Sequence, residues 1–272
     1  TDTCGYTFLL NEDGTVYDEV TYYKFDDKYW LASHKELESY FDNSNFDYTL
    51  TEISADYKML QVEGKKSGEI AQKFYEYDIS TLNFRSGVEM TFENQSGYLV
   101  RFGFSGEFGY QFFLPTEVFD EFVEKVCKGI PKYGKELDAY LRFEVGQPIQ
   151  AIYQQENYSL YELGYSWNLD FTKEEFKGRE NLLESINATN FKSIGFKTDK
   201  SVAAGTQVIF DNEIVGKVCW SADQCNSLNN YLGLMIIDKE YAHAGVTFVT
   251  ENGELLQTIS SPYKIPESWT KE

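Results

Sequence analysis

Asp18 and Glu19 stand side by side in the run Val16-Tyr17-Asp18-Glu19-Val20-Thr21. A strand sends adjacent side chains to opposite faces, so only one of these acids can point inward. A carboxylate held there beside an amine can accept a proton or stabilise developing positive charge. The other reading is a solvated acidic pair on a strand edge. A second polar set lies in the ribbon from Tyr98 to Pro115, YLVRFGFSGEFGYQFFLP, where Arg101, Glu107 and Gln111 are the groups that could be aimed at a ligand. Glycines at 103, 106 and 109 permit backbone shapes, or a close ligand approach, that side chains would forbid. Taken without context, the same ribbon is an ordinary hairpin.

These groups need elements to hold them. Tyr98, Val100, Phe102 and Phe104 alternate with Leu99, Arg101 and Gly103, the period of a half-buried strand, and Tyr110, Phe112 and Leu114 start a second run. Upstream, Tyr6 to Leu10 and Thr15 to Phe25 flank the turn Asn11-Glu12-Asp13-Gly14, a hairpin signal. After the Asp26-Asp27 turn the pattern predicts a strand over Tyr29 to Ser33, a short helix over Lys35 to Phe41 and a strand over Tyr48 to Ile53. Met59 to Val62 predicts another strand, and Ser67 is placed to cap a helix burying Ile70, Ala71 and Phe74. Helical stripes follow at Val118, Phe119, Phe122, Val123 and Val126, and at Leu137, Tyr140, Leu141 and Val145, the latter ended by Gly146 and Pro148. Beyond Ile194 the chain is mostly β, and a small antiparallel barrel or sandwich is the natural way to bury those strands. The class is α+β, divided as a small α+β subdomain (1–57), a central α+β subdomain (58–165), and a linker helix with a β-barrel (166–272).

Bulk properties narrow the partners. Asp plus Glu number 44 against 24 Lys plus Arg, a formal net charge of -20, which repels phosphate backbones and anionic lipid. No nucleic acid and no membrane is therefore expected as a partner, and no run approaches a spanning length. Aromatics make up 17% of the chain, enough for a ring-lined cavity. Cys4, Cys127, Cys219 and Cys225 show no paired metal spacing, and His34 and His243 lack companion ligands, so no metal site and free cytoplasmic thiols are expected.

The ribbon from Tyr98 to Pro115 resembles the R-T-G-Y-T-G-E-x-G-F/Y-E ribbon of the glycine cleavage T-protein (aminomethyltransferase) superfamily. Further motifs keep the family's order: Leu10-Asn11-Glu12-Asp13-Gly14 with Val16-Tyr17-Asp18-Glu19, then Leu141-Arg142-Phe143-Glu144-Val145-Gly146, Glu162-Leu163-Gly164-Tyr165-Ser166-Trp167 and Phe176-Lys177-Gly178-Arg179-Glu180-Asn181-Leu182. The resemblance implies a T-protein-like split α+β core with a C-terminal antiparallel β-barrel, and a tetrahydrofolate-dependent one-carbon transferase. By the same resemblance Glu19 faces the folate nitrogen that carries the one-carbon unit, Asp18 being its neighbour. Gln111 meets the pterin where the family has glutamate, Tyr6 and Phe104 wall the cavity, and Arg101 and Glu107 surround it.

Departures from the family shift the expectation. Gln111 is neutral, so restoring glutamate there is expected to tighten folate binding by about ten-fold. Asp138 stands where the family has an arginine for the folate tail. These changes point to a methyltransferase or demethylase acting on a small methylated donor. The alternatives are a non-catalytic binding or regulatory subunit, or aminomethyl transfer of the glycine cleavage type. The resemblance also begins in mid-family, so a companion fragment or subunit supplying an N-terminal segment is expected.

Overall fold

In a computed structural model, residues 2–25, 27–42, 47–153, 158–224, 226 and 229–270 are described; Asp26 of the expected turn and Cys225 lie outside them. Contacts sort the chain into two compact units, one of Thr1–Thr7, Glu19–Tyr133 and Pro266–Glu272, the other of Phe8–Asp18 and Gly134–Ile265.

The first unit is built on a seven-stranded sheet. Its strands are β1 (Asp2–Leu10), β2 (Val16–Phe25), β3 (Lys28–Ala32), β4 (Tyr57–Glu63), β5 (Ser86–Phe92), β6 (Gln95–Arg101) and β7 (Gly109–Pro115), in the order β3-β2-β1-β5-β6-β7-β4. Helices α1 (Glu38–Phe41), α2 (Ser67–Ala71) and α3 (Thr116–Val126) accompany it. Leu99, Tyr110, Phe112 and Leu114 pack with Ala71, Phe122 and Val126, so α2 and α3 cover one face of the sheet. The opposite face curls on itself: Trp30 on edge strand β3 lies 4.8 Å, ring to ring, from Tyr57 on edge strand β4.

Two expected details differ. Residues 48–53 form no strand, and Tyr48 and Leu50 stay about two-fifths exposed because no neighbouring strand gives them a surface to bury against. Ser67 is the first residue of α2 rather than its cap, and its hydroxyl donates to the Phe108 carbonyl at 2.7 Å.

The second unit holds α4 (Lys135–Val145), α5 (Gln150–Tyr153), α6 (Arg179–Ala188) and the strands β8 (Phe191–Thr198), β9 (Gln207–Phe210), β10 (Glu213–Ser221), β11 (Tyr231–Asp238), β12 (Thr247–Thr250) and β13 (Leu255–Ile259). The six strands close as the barrel β10-β11-β8-β13-β12-β9, the expected antiparallel barrel, filled by Phe196, Val208, Val218, Met235 and Phe248. Closure without edges disposes of unpaired backbone groups.

The tip of the β1–β2 hairpin is locked within this second unit. Gly14 and Gly178 both adopt positive φ and sit back to back; a Cβ on Gly178 would fall 2.2 Å from the Asn11 carbonyl oxygen. Asn181 Nδ2 donates to the Glu12 carbonyl at 2.6 Å, fastening the start of α6 to the same turn. Gly178→Ala should therefore destabilise the protein by at least about 2 kcal/mol, from the left-handed conformation plus a backbone clash. Gly205→Ala, also at positive φ but with open space around it, should cost only the conformational part. Thermal unfolding of both variants checks the contrast. In the first unit, burial pushes the Cys4 thiol up to about 12 against the pull of Arg85. Cys4 should resist iodoacetamide at pH 8 in the folded protein and react once unfolded, as read by peptide mass mapping.

Candidate functional site

Strand pairing on the curled face brings the polar groups of the first unit together. On β2 the alternation puts Glu19, Thr21, Tyr23 and Phe25 on one side, all buried, with Tyr22 and Lys24 on the other. Tyr23 reaches Phe113 of β7 with ring centroids 4.7 Å apart, and Phe25 stacks on Tyr98 of β6 at 3.8 Å. Trp30 meets Phe25 edge-on at 5.3 Å. Rings thus fill one end of the concave face, each such pair contributing roughly 0.5–1.5 kcal/mol beyond area burial.

Beyond the rings lies a short polar chain. Gln61 of β4 is directly opposite Gln111 of β7 in the ladder. Gln61 Nε2 donates to the Phe102 carbonyl at 3.0 Å, and Gln111 Nε2 donates to Gln61 Oε1 at 2.7 Å. The Tyr23 hydroxyl, on the same face, donates to Met59 Sδ at 3.8 Å. Burial drives the Tyr23 phenol well above its ordinary range and nearby Cys4 adds to this, while the neighbouring polar side chains of Gln111 and Thr21 pull the other way. Gln111 is 1% exposed, yet its Oε1 has no hydrogen-bond partner among the described residues. A buried acceptor left in that state costs about 1–3 kcal/mol.

Tyr6 and Phe104 wall this region. Their rings lie 5.8 Å apart, and Phe102 sits 6.4 Å from Tyr6 and 5.0 Å from Phe104. The segment carrying Phe104 is pinned by Glu63, whose two carboxylate oxygens accept from the Phe104 and Ser105 backbone N–H groups at 3.0 and 2.8 Å. Gly103 and Gly109 pass so closely that a Cβ on Gly109 would lie 2.6 Å from the Gly103 Cα. Here the glycines serve backbone approach, as the ribbon's composition suggested.

The structure brings together some predicted residues and not others. Tyr6, Phe104 and Gln111 share the concave face, and Glu19, 5% exposed, belongs to the same face of β2. Asp18 is fully buried with the opposite parity, alongside Val16 and Val20, so it is not a partner of Glu19 in one site. Arg101 shares the helix-covered face with Leu99 and donates to the Leu82 carbonyl at 2.6 Å, with its guanidinium over the Phe108 ring. Glu107 accepts from the backbone N–H groups of Glu267 and Ser268 at 3.0 and 3.2 Å, holding the C-terminal turn. Both side chains are thus engaged by backbone groups, Arg101 on the helix-covered face and Glu107 at the C-terminal turn. Asp138, in the second unit, accepts from Arg142 Nε at 2.8 Å one helical turn on. Sequence reasoning missed Gln61, Glu63 and Tyr23. The one available signal was a lone amide in the otherwise apolar run Met59-Leu60-Gln61-Val62.

Residues 1–173 match the family model described as the GCVT N-terminal domain. An aminomethyltransferase of Thermoanaerobacter pseudethanolicus (strain ATCC 33223 / 39E) is 29% identical over 276 residues, covering 94% of this chain and 74% of that protein. One from Clostridium botulinum (strain Kyoto / Type A2) is 25% identical over 260 residues, covering 89% and 70%. The crystal structure of glycine cleavage system aminomethyltransferase T from Bartonella henselae superposes with a TM-score of 0.79 at 18% identity, over 97% of this chain and 76% of that one, which establishes the shared fold. No helix among the described residues is long and apolar enough to cross a membrane. With the matched region spanning well over half of the sequence and ending beyond the concave site, the chain belongs to the GCVT family, within the T-protein superfamily.

Proposed function

We propose that this chain transfers a one-carbon group between a small methylated donor and tetrahydrofolate. The observation that carries the reading is the buried Oε1 of Gln111, without a hydrogen-bond partner among the described residues, on the face that also holds Glu19, Tyr6 and Phe104. A reduced pterin fits this donor–acceptor set: its pairing edge brings N–H donors, and its ring matches an aromatic wall. Tetrahydrofolate, when bound, supplies the nitrogen nucleophile that accepts the carbon.

The chain's own residues would do the rest. Gln111 Oε1 accepts a ring N–H and sets the ring's position. Tyr6 and Phe104 exclude water and hold the ring between apolar surfaces. A carboxylate oxygen of Glu19 takes the proton lost from the accepting nitrogen as the new bond to carbon forms. The bond from carbon to the donor's heteroatom breaks, and that heteroatom leaves with a proton, so the step is redox-neutral.

A second reading is aminomethyl transfer, favoured by the likeness to the two aminomethyltransferases. The two differ in the donor, in the oxidation level of the carbon and in the group that leaves, an amine nitrogen departing as ammonia in aminomethyl transfer. Asp138, engaged by Arg142, offers no cation for an acidic folate tail.

Anaerobic calorimetry with tetrahydrofolate tests the first step, and saturable binding is expected. Glu19→Gln should leave affinity within about three-fold while lowering turnover with an active donor by about a hundred-fold or more, the scale of a lost general base. Wild-type protein that binds no tetrahydrofolate would overturn the transferase reading and favour a non-catalytic subunit.

A further inference from the structure

The polar chain on the concave face has a direction, and its direction decides what Gln111 can do. Gln61 cannot turn its amide round, because its Nε2 is committed to the Phe102 carbonyl, which only accepts. Gln61 therefore presents Oε1 to Gln111, and Gln111 must answer with its N–H group, at 2.7 Å. The Tyr23 hydroxyl is directed to Met59 Sδ at 3.8 Å and does not serve Gln111 Oε1. What remains of Gln111 is one neutral acceptor atom, buried and unpaired among the described residues.

We infer that Gln61 is a positioning residue that locks the Gln111 amide with Oε1 presented to a ring N–H, so the site is built for glutamine at 111 and not for glutamate. The inference rests on the folate reading for the ligand but not for the lock itself. A glutamate at 111 would set a carboxylate oxygen against Gln61 Oε1, two acceptors at hydrogen-bond distance in a buried place. Gln61 would have to give up the Phe102 carbonyl to relieve it. The simple expectation that Gln111→Glu tightens binding is thereby reversed.

The test is a double-mutant cycle on tetrahydrofolate affinity by anaerobic calorimetry, with Tm recorded for each protein. Gln61→Met should weaken binding by about ten-fold, because the Gln111 amide is free to rotate. Gln111→Glu alone should also bind more weakly than wild type. The double variant should bind at least about ten-fold tighter than Gln111→Glu, since a carboxylate has two equivalent oxygens and needs no orienting. If Gln61→Met shifts affinity by the same factor in both backgrounds, or leaves it unchanged, the positioning role is wrong. Gln61→Asn, too short to reach Gln111, replaces Gln61→Met should the latter not fold.

A ligand-free readout separates this inference from the folate reading. In protein labelled with 15N-glutamine, the Gln111 side-chain amide should give one slowly exchanging pair of resonances in wild type. In Gln61→Met the pair should exchange rapidly with solvent or average. An unchanged pair overturns the lock whether or not folate binds. A changed pair in a protein that binds no tetrahydrofolate leaves the lock standing and removes only the folate.

Discussion

The register between β4 and β7 is the constraint on which the first unit depends. Their ladder runs from Tyr57 opposite Pro115 to Glu63 opposite Gly109 without a break, which sets Gln61 against Gln111. The same alignment brings Glu63 under the Phe104–Ser105 backbone and lets Ser67 and Gly64 bond the Phe108 carbonyl. A slip of one residue would turn every one of these side chains to the other face. The apolar half of β4 and β7 guards against it, because Val62, Phe112 and Leu114 are buried under α2 and α3 and cannot be exchanged for Gln61 or Gln111 without loss of the core.

On the concave side the burial is unusual in kind. Most of that face is aromatic, and packed rings are stiff walls with few rotamers to lose. Into it the fold sets two neutral amides and a phenol, with the Glu19 carboxylate on the same face of β2. Between the two amides one acceptor, Gln111 Oε1, has no partner among the described residues. Natural folds keep such an imperfection where it serves recognition, because elsewhere it would be removed at little cost to the core.

Several of the family-like motifs carry the fold and not the chemistry. Gly14 and Gly178, far apart in sequence, meet back to back, so the turn after β1 and the start of α6 are one local structure. Arg142 is occupied by Asp138, and an acid in the first turn of α4 is well placed for the helix dipole. Glu107 clamps a C-terminal turn, with Lys65 and Glu267 forming an ion pair nearby. Order of motifs along a chain thus identifies a fold more surely than it identifies which residues meet a ligand.

Local pattern determined much of this protein by itself. Two-residue alternation marked β1, β2, β6 and β7, helical stripes marked α3 and α4, and the strand-rich end of the chain implied an antiparallel barrel, because burial periodicity is a property of neighbouring residues. Alternation also implied that Asp18 and Glu19 part to opposite faces, though not which one joins the site. Tertiary structure alone decided the rest. Tyr48 to Ile53 has strand-like composition but found no partner strand. Arg101 looked free to serve a ligand until the Leu82 carbonyl claimed it. Gln61 gained its meaning only from standing across a ladder from Gln111, fifty residues away. Hydrogen bonds between distant strands depend on register and on sheet curl, and neither is written in the spacing of residues along the chain.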